Sequence, residues 1–464
     1  MAQDGAKFLE GSLFKHVSVM SFTASLGLMA VFLVDFIDMV FISMLGNAAL
    51  AAAVGYAGAI LFFTTSVSIG IAIATAALTA RALGAGEPER ARREGSHAMA
   101  FGVLFSIGVA ALVWLNLRPL VALVGASGET LELAVDYLTI IVPSMPILVV
   151  AMAGGAVLRA HGAARASMIS TVGGAVVNAV LDPIFIFGLG LELEGAAIAS
   201  VLARVTILVL ALRPIYRDYG GLARVEVAAA LGDLSKITQL AFPAMLTNIA
   251  TPIGAAYVTR EMAQFGEDAV AGMAIVGRLT PVSFAVSFAL SGAIGPIIGQ
   301  NFGAGRHDRV REAFRDGVMF VGGYVLIAAL LLFLLREPLA AFFAAEGVTR
   351  ALIFLFCGPL ALLWFFNGVI FVSNAAFNNL GHPFYSTTIN WGRNTLGTIP
   401  FVWLGAELYG APGVLVGQMV GGIVFALLAW WLSLKVIAEG QAGPAEPKLA
   451  PVHTRLIQLL VRNR

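Results

Sequence analysis

The chain has 464 residues, of which 59% are hydrophobic and 12% charged, and its formal net charge is +1. Soluble globular domains carry roughly 25% charged residues, so a water-soluble fold is excluded, and a mean hydropathy of +0.90 agrees. The near-neutral balance offers no field for nucleic acid, and a lone cysteine, Cys357, excludes an internal disulfide.

A run of about 20 apolar residues spans a bilayer as a helix. Twelve such runs follow one another at 17–44, 48–80, 97–117, 132–158, 166–189, 194–213, 237–262, 268–300, 312–335, 349–377, 384–405 and 410–436. They are continuously apolar rather than alternating, so they predict an all-α integral membrane protein and not a barrel. The longer runs imply tilted or bent helices. The first run lacks a small-residue cleavage site and reads as a retained helix rather than a signal peptide.

Basic residues collect on one side. Arg81, Arg90, Arg92 and Arg93 follow the second run, Arg159 and Arg165 the fourth, Arg213, Arg217, Arg224 and Lys236 the sixth, and Arg306, Arg309, Arg311 and Arg315 the eighth. With the two ends of the chain, 21 of the 28 Lys and Arg lie on this side, against Arg118, Arg260, Arg336 and Arg350 on the other. The positive-inside rule then places both termini in the cytoplasm, as the even number of runs requires.

The sequence also repeats itself. Leu83-Gly84-Ala85-Gly86 with Arg90 and Arg92 returns as Phe302-Gly303-Ala304-Gly305 with Arg309 and Arg311, and Met44-Leu45-Gly46 with Ala49 returns as Gln264-Phe265-Gly266 with Ala269. Gly162, Asn178 and Gly195 find counterparts in Gly381, Asn394 and Gly410. Duplicated hydrophobic halves mark secondary transporters, whose substrate site lies between two similar lobes. The expected division is residues 1–225 for the first lobe, with a cytoplasmic linker from about 214, residues 226–437 for the second, and a tail over 438–464. The tail combines a linker at Gly443–Pro447 with a basic amphipathic stretch from His453 to Arg464.

The chemistry is not duplicated. Asp35, Asp38 and Asp182 lie deep in apolar runs of the first half, and the second half has no such acid. A mid-membrane aspartate costs roughly 2.5–3.5 kcal/mol on insertion scales and normally points into a bundle or a wet cavity. Asp35 and Asp38 are three apart and share a helix face, as do Asn178 and Asp182, four apart. Desolvation and a like-charged neighbour both favour the protonated carboxyl, so the group suits a titrating proton carrier. Carboxylate and amide oxygens at Asn178 and Asp182, beside the carbonyl freed by Pro183, equally suit a Na⁺ ion. The bland alternatives are an acid paired with an arginine inside the bundle, or helix capping. Arg204, Arg278 and Arg393 are also membrane-embedded. Arg278 and Arg393 lie in the second half, placed to line the cavity opposite the acids or to pair with one of them in one conformation.

Enzyme signatures are absent. The six histidines fall near helix ends without metal-ligand spacing, there is no P-loop, and the Gly-Ala-Gly copies do not follow strands. No cofactor is implied, and energy must come from an ion gradient.

Taken together, Asp38 with Leu45-Gly46, Leu83-Gly84-Ala85-Gly86, Arg159-Ala160-His161-Gly162, Asn178, Asp182-Pro183, Gly195-Ala196-Ala197, Gln300-Asn301-Phe302-Gly303-Ala304-Gly305 and Leu380-Gly381-His382-Pro383 resemble the multidrug and toxic compound extrusion (MATE) family over about residues 15–437. The resemblance implies twelve helices in two six-helix lobes around a V-shaped cavity, and export of lipophilic, often cationic compounds coupled to H⁺ or Na⁺ across a bacterial inner membrane. By position it implies that Asp38, Asn178, Asp182 and Ser200 form the first-lobe cation or proton site; it gives Asp35 no role. Where another branch of the family carries second-lobe acids, this chain has Thr251, Asn367, Ser373 and Asn374, which points to the DinF-like branch. A lipid-linked oligosaccharide flippase of the same superfamily is the alternative, and its cavity should be rich in basic residues. Nothing in the sequence demands more than a monomer.

Overall fold

The computed structural model describes residues 6–441; the linker at 443–447 and the amphipathic stretch 453–464 lie outside them. Among the described residues the chain is almost wholly helical. The first lobe comprises α1 (Leu13–Met44), α2 (Ala48–Gly84), α3 (Pro88–Leu115), α4 (Gly128–Ala160), α5 (Ala164–Gly188) and α6 (Glu192–Asp218). The second comprises α7 (Val227–Ala263), α8 (Glu267–Ser283 and Ala285–Gly303, bent by 47°), α9 (His307–Phe342) and α10 (Gly347–Asn379). It closes with α11, from Pro383 to residue 409, and α12, residues 411–441, which form one long helical stretch broken at Gly410. These are the twelve expected spans.

Local chemistry sets the ends. Ser12 Oγ accepts from the Lys15 amide at 3.4 Å, and Asn47 Oδ1 from the Ala49 amide at 2.9 Å, capping α1 and α2. Several helices begin before their apolar runs. α3 starts at Pro88 rather than near 97, because its charged first turns pair internally, Arg90 with Glu87 at 3.0 Å and with Glu94 at 2.9 Å. Pro214 does not start the linker: α6 runs past it to Asp218, leaving residues 219–226 as the connection between lobes.

Proline and glycine bend the spans in matching places of the two halves. α4 breaks at Val142–Ser144 beside Pro143 and Pro146, and α10 at Phe356–Leu360, which holds Gly358 and Pro359. Gly410 turns α11 back along α12 with φ 63°, ψ −144°, a conformation that favours glycine. A Cβ on Gly405 would lie 2.1 Å from the Gly413 carbonyl oxygen, so the two backbones touch.

The repeated glycines explain how the lobes meet. A Cβ on Gly84 would lie 1.9 Å from the Gln300 carbonyl oxygen, and one on Gly303 would lie 2.0 Å from that of Arg81. The two copies of the motif therefore cross reciprocally at the arginine-rich end of α2 and α8. Arg81 donates to the carbonyls of Asn378 and Asn379 at 2.8 Å each, and Gln300 Nε2 to that of Ala160 at 2.8 Å. Phe8, only 1% exposed, is wedged there: its amide donates to Gln300 Oε1 at 2.8 Å, and Arg309 and Asn301 donate to its carbonyl. From Ser66 to Arg81 no residue of α2 is exposed, whereas Ala51, Ala52, Gly55, Gly58, Ala59, Phe62 and Phe63 are. The space between the lobes is thus sealed at the arginine-rich end and open at the other.

Candidate functional site

The acids converge inside the first lobe. Asp38, in the open half of α1, faces α5, where Asn178 and Asp182 lie one turn apart just before Pro183. Asp182 is fully buried, Asn178 is 6% exposed and Asp38 is half-buried. Asn178 Nδ2 donates to Asp182 Oδ2 at 2.7 Å and to both oxygens of Asp38 at 3.2 and 3.3 Å. The Asp38 and Asp182 carboxyls are thus gathered on one amide nitrogen, and Asp182 Oδ1 is buried without any donor from the protein. Two carboxyl groups can hydrogen-bond only when one carries a proton. The geometry is therefore suited to holding a proton between α1 and α5, with the Asn178 amide donating to both Asp38 oxygens and to one of Asp182. Neither acid has an arginine partner among the described residues, and Asn178 and Asp182 are not helix caps.

The pair is walled by residues of α4 and α6. The Tyr137 hydroxyl, on buried α4, meets that of Ser200 on α6 and lies near Asp38, Asp182 and Arg204. The sequence reading missed Tyr137, whose place in the site depends on which helices lie opposite it. Arg204 donates to Ser144 Oγ at 2.7 Å and to the Ile141 carbonyl at 3.3 Å, so it pins the break in α4 rather than serving an acid. Ser200 reaches the cluster through Tyr137 and not by touching an aspartate.

Asp35 stands apart. It is exposed, one turn from Asp38 on α1. Arg278 of α8 reaches the next residues, its guanidinium 5.9 Å from the Phe36 ring centre and 4.0 Å from Met39 Sδ, without contacting Asp35. Arg393 is held inside the second lobe, where it donates to Asn367 Oδ1 of α10. It extends a polar ladder between α10 and α11 in which Asn390 donates to Asn374 Oδ1 at 3.2 Å and Ser386 to Asn378 Oδ1 at 3.4 Å. Neither arginine forms an ion pair with an aspartate in this conformation.

Among the described residues, the counterpart face of the second lobe carries no acid. Asn394, which answers to Asn178, packs its amide on Gly254 of α7, where a Cβ would lie 2.6 Å from Oδ1, and donates to the Asn390 carbonyl at 2.8 Å. The buried acid of α9, Asp316, pairs with Arg315 at 3.3 Å. Among the described residues no group of three or more His, Cys, Asp or Glu side chains could hold a metal ion.

A bundle of apolar membrane-length helices in two similar lobes, with buried acids gathered in one of them, is the architecture of a multi-pass membrane transporter. The MatE family pattern matches residues 24–184 and again 243–404, so the chain belongs to the MatE family and the repeat read from the sequence is the family unit used twice. Members of this family are transporters and not enzymes. The FAD transporter of Shewanella oneidensis is 28% identical over 92% of this chain and 96% of its own length. The multidrug export protein MepA of Staphylococcus aureus is 23% identical over 75% of this chain and 77% of its own length. Among solved structures, a variant of the Vibrio cholerae MATE transporter VcmN superposes with a TM-score of 0.85 and 26% identity, covering 92% of this chain and 97% of that one. An outward-facing multidrug resistance MATE transporter superposes at 0.88 over 95% and 99%; at 21% identity it shows the shared fold alone.

Proposed function

We propose that the chain exports lipophilic small molecules, organic cations among them, in exchange for H⁺, by alternating access across a bacterial inner membrane. In this reading the arginine-rich end and both termini are cytoplasmic, and the cleft opens outward. The observation that carries the reading is the proton-type contact of Asp38 with Asp182 and Asn178, which joins α1 to α5 and has no second-lobe equivalent. A shared proton holds the two helices together. Its loss leaves two adjacent negative charges, whose repulsion at about 4 Å is about 4 kcal/mol at an effective dielectric constant of 20, enough to drive α1 from α5 and reshape the cleft. Because Asn178 turns its N–H₂ toward both acids, H⁺ suits the site better than Na⁺, which needs the amide oxygen. A second-lobe face without acids supports the DinF-like branch.

Reconstituted in liposomes, the wild type should drive ethidium efflux under an imposed pH gradient and not under a Na⁺ gradient alone. Asp38→Asn and Asp182→Asn should each abolish gradient-driven flux. Flux that persists in both variants would remove the acids from the mechanism, and no gradient-driven flux in the wild type would turn the search to lipid-linked cargo. The relative named FAD transporter brings a second cargo class, a flavin dinucleotide. Arg278, exposed without an acid partner at the edge of the cleft, favours testing it in the same assay.

A further inference from the structure

Arg159 lies in the last turn of α4, next to the sealed end. Its Nη1 donates to Ser167 Oγ of α5 at 2.9 Å, while Nε is buried with no partner. A Cβ on Gly292 of α8 would lie 3.7 Å from that Nε, so the guanidinium rests against the backbone of the opposite lobe. From Ala285 to Asn301 every residue of α8 is buried or half-buried except Ser291 and Gly292, and this stretch packs on α1, α2, α9 and α10. An exposed pair on a helix walled by its neighbours opens on the cleft and not on lipid. Gly292 stands eight residues before Gln300, about 12 Å above the seal at the 1.5 Å rise of a helix. Arg159 therefore forms part of the cleft floor.

Its charge is not neutralised by the protein. Among the described residues no acid pairs with Arg159, and a guanidinium stays protonated in any protein environment. Ser167, its one partner, precedes Asn178 on α5 by eleven residues, about 16 Å of helix, which keeps the acid pair out of reach. A buried cation without an anion is costly unless something else supplies the charge.

We infer that Arg159, with Ser167 beside it and the bare backbone of Gly292 opposite, is the subsite for the anionic group, a carboxylate or phosphate, of an amphiphilic cargo. The inference rests on the export reading and adds a polarity to it: the proton is carried by Asp38 and Asp182 high in the first lobe, and the negative end of the cargo is held at the floor. The planar fork of arginine matches both oxyanions with two parallel N–H···O bonds, and the absent side chain at residue 292 leaves the room. Lysine cannot reproduce that fork.

The test uses full-length protein in liposomes under a pH gradient, with carboxyfluorescein as the anion and ethidium as the cation. Arg159→Gln should lower anion flux at least about tenfold and leave ethidium flux within about twofold, with Arg159→Lys closer to the glutamine variant than to wild type. Fluorescence anisotropy of carboxyfluorescein on the purified protein should show a matching rise in Kd. An equal loss of both fluxes would make Arg159 a brace between the lobes and overturn the inference, as would an unchanged anion flux. A wild type that moves ethidium but not carboxyfluorescein would also overturn it while leaving the export reading intact. A wild type that moves neither would strike the export reading itself.

Discussion

Replacing Gly84 by alanine tests whether the glycine crossing holds the arginine-rich end shut. The new Cβ would sit 1.9 Å from the Gln300 carbonyl oxygen, where ordinary contact begins at 3.4 Å, so the backbones of α2 and α8 must separate by about 1.5 Å. Neither obstacle is a flexible side chain, and overpacking of this kind costs about 1–3 kcal/mol. Because the crossing exists only while that end is closed, the cost falls on one state. It should shift the balance between the two ends about 5- to 150-fold toward opening at the arginine-rich end. The shift also disturbs Gln300, which holds Phe8 and Ala160 together. Spin labels on Glu89→Cys and Asp308→Cys, in a Cys357→Ala background, would report the distance between lobes by electron–electron resonance. Gly84→Ala should transfer population to longer distances. Gly58→Ala, whose Cβ meets nothing within 4 Å, should leave the distribution unchanged. An unchanged distribution for Gly84→Ala would refute the reasoning that this contact is rigid and state-specific.

Four further outcomes follow from the geometry. Asn178→Leu removes the donor shared by both acids and should cut pH-gradient-driven flux at least about tenfold while the purified protein elutes normally, since a buried acceptor left unsatisfied costs about 1–3 kcal/mol. Phe8→Ala empties a fully buried aromatic position between the lobes and should lower the unfolding midpoint through a loss of about 3–5 kcal/mol; an unchanged melting curve would mean the segment is not docked. Arg204→Met frees Ser144 and the Ile141 carbonyl and should destabilise by about 1–3 kcal/mol, with faster hydrogen exchange concentrated at the break in α4. Cys357 is fully buried, so a maleimide should label it only after denaturation; labelling of the native protein would place it wrongly.

How much of this was legible beforehand depends on the range of the interaction concerned. Twelve spans, the duplicated halves and the one-sided acids follow from composition, spacing and the cost of charge in lipid, all properties of neighbours along the chain. The pairing of Asn178 with Asp182 was readable from a four-residue spacing on one helix. Its junction with Asp38, 140 residues away, could be drawn only from family likeness until α1 packed on α5. Tyr137 and the pinning role of Arg204 gave no local signal, because each depends on which helix lies opposite. The same holds for the arginines: sequence placed Arg278 and Arg393 in the membrane, but packing set one on Phe36 and the other on Asn367, and it brought Arg159, read as part of a loop motif, to the floor of the cleft. Glycine sits between the two cases. The sequence repeated Gly84 as Gly303, and only the tertiary structure revealed that the copies touch, because two backbones meet where neither residue has a side chain.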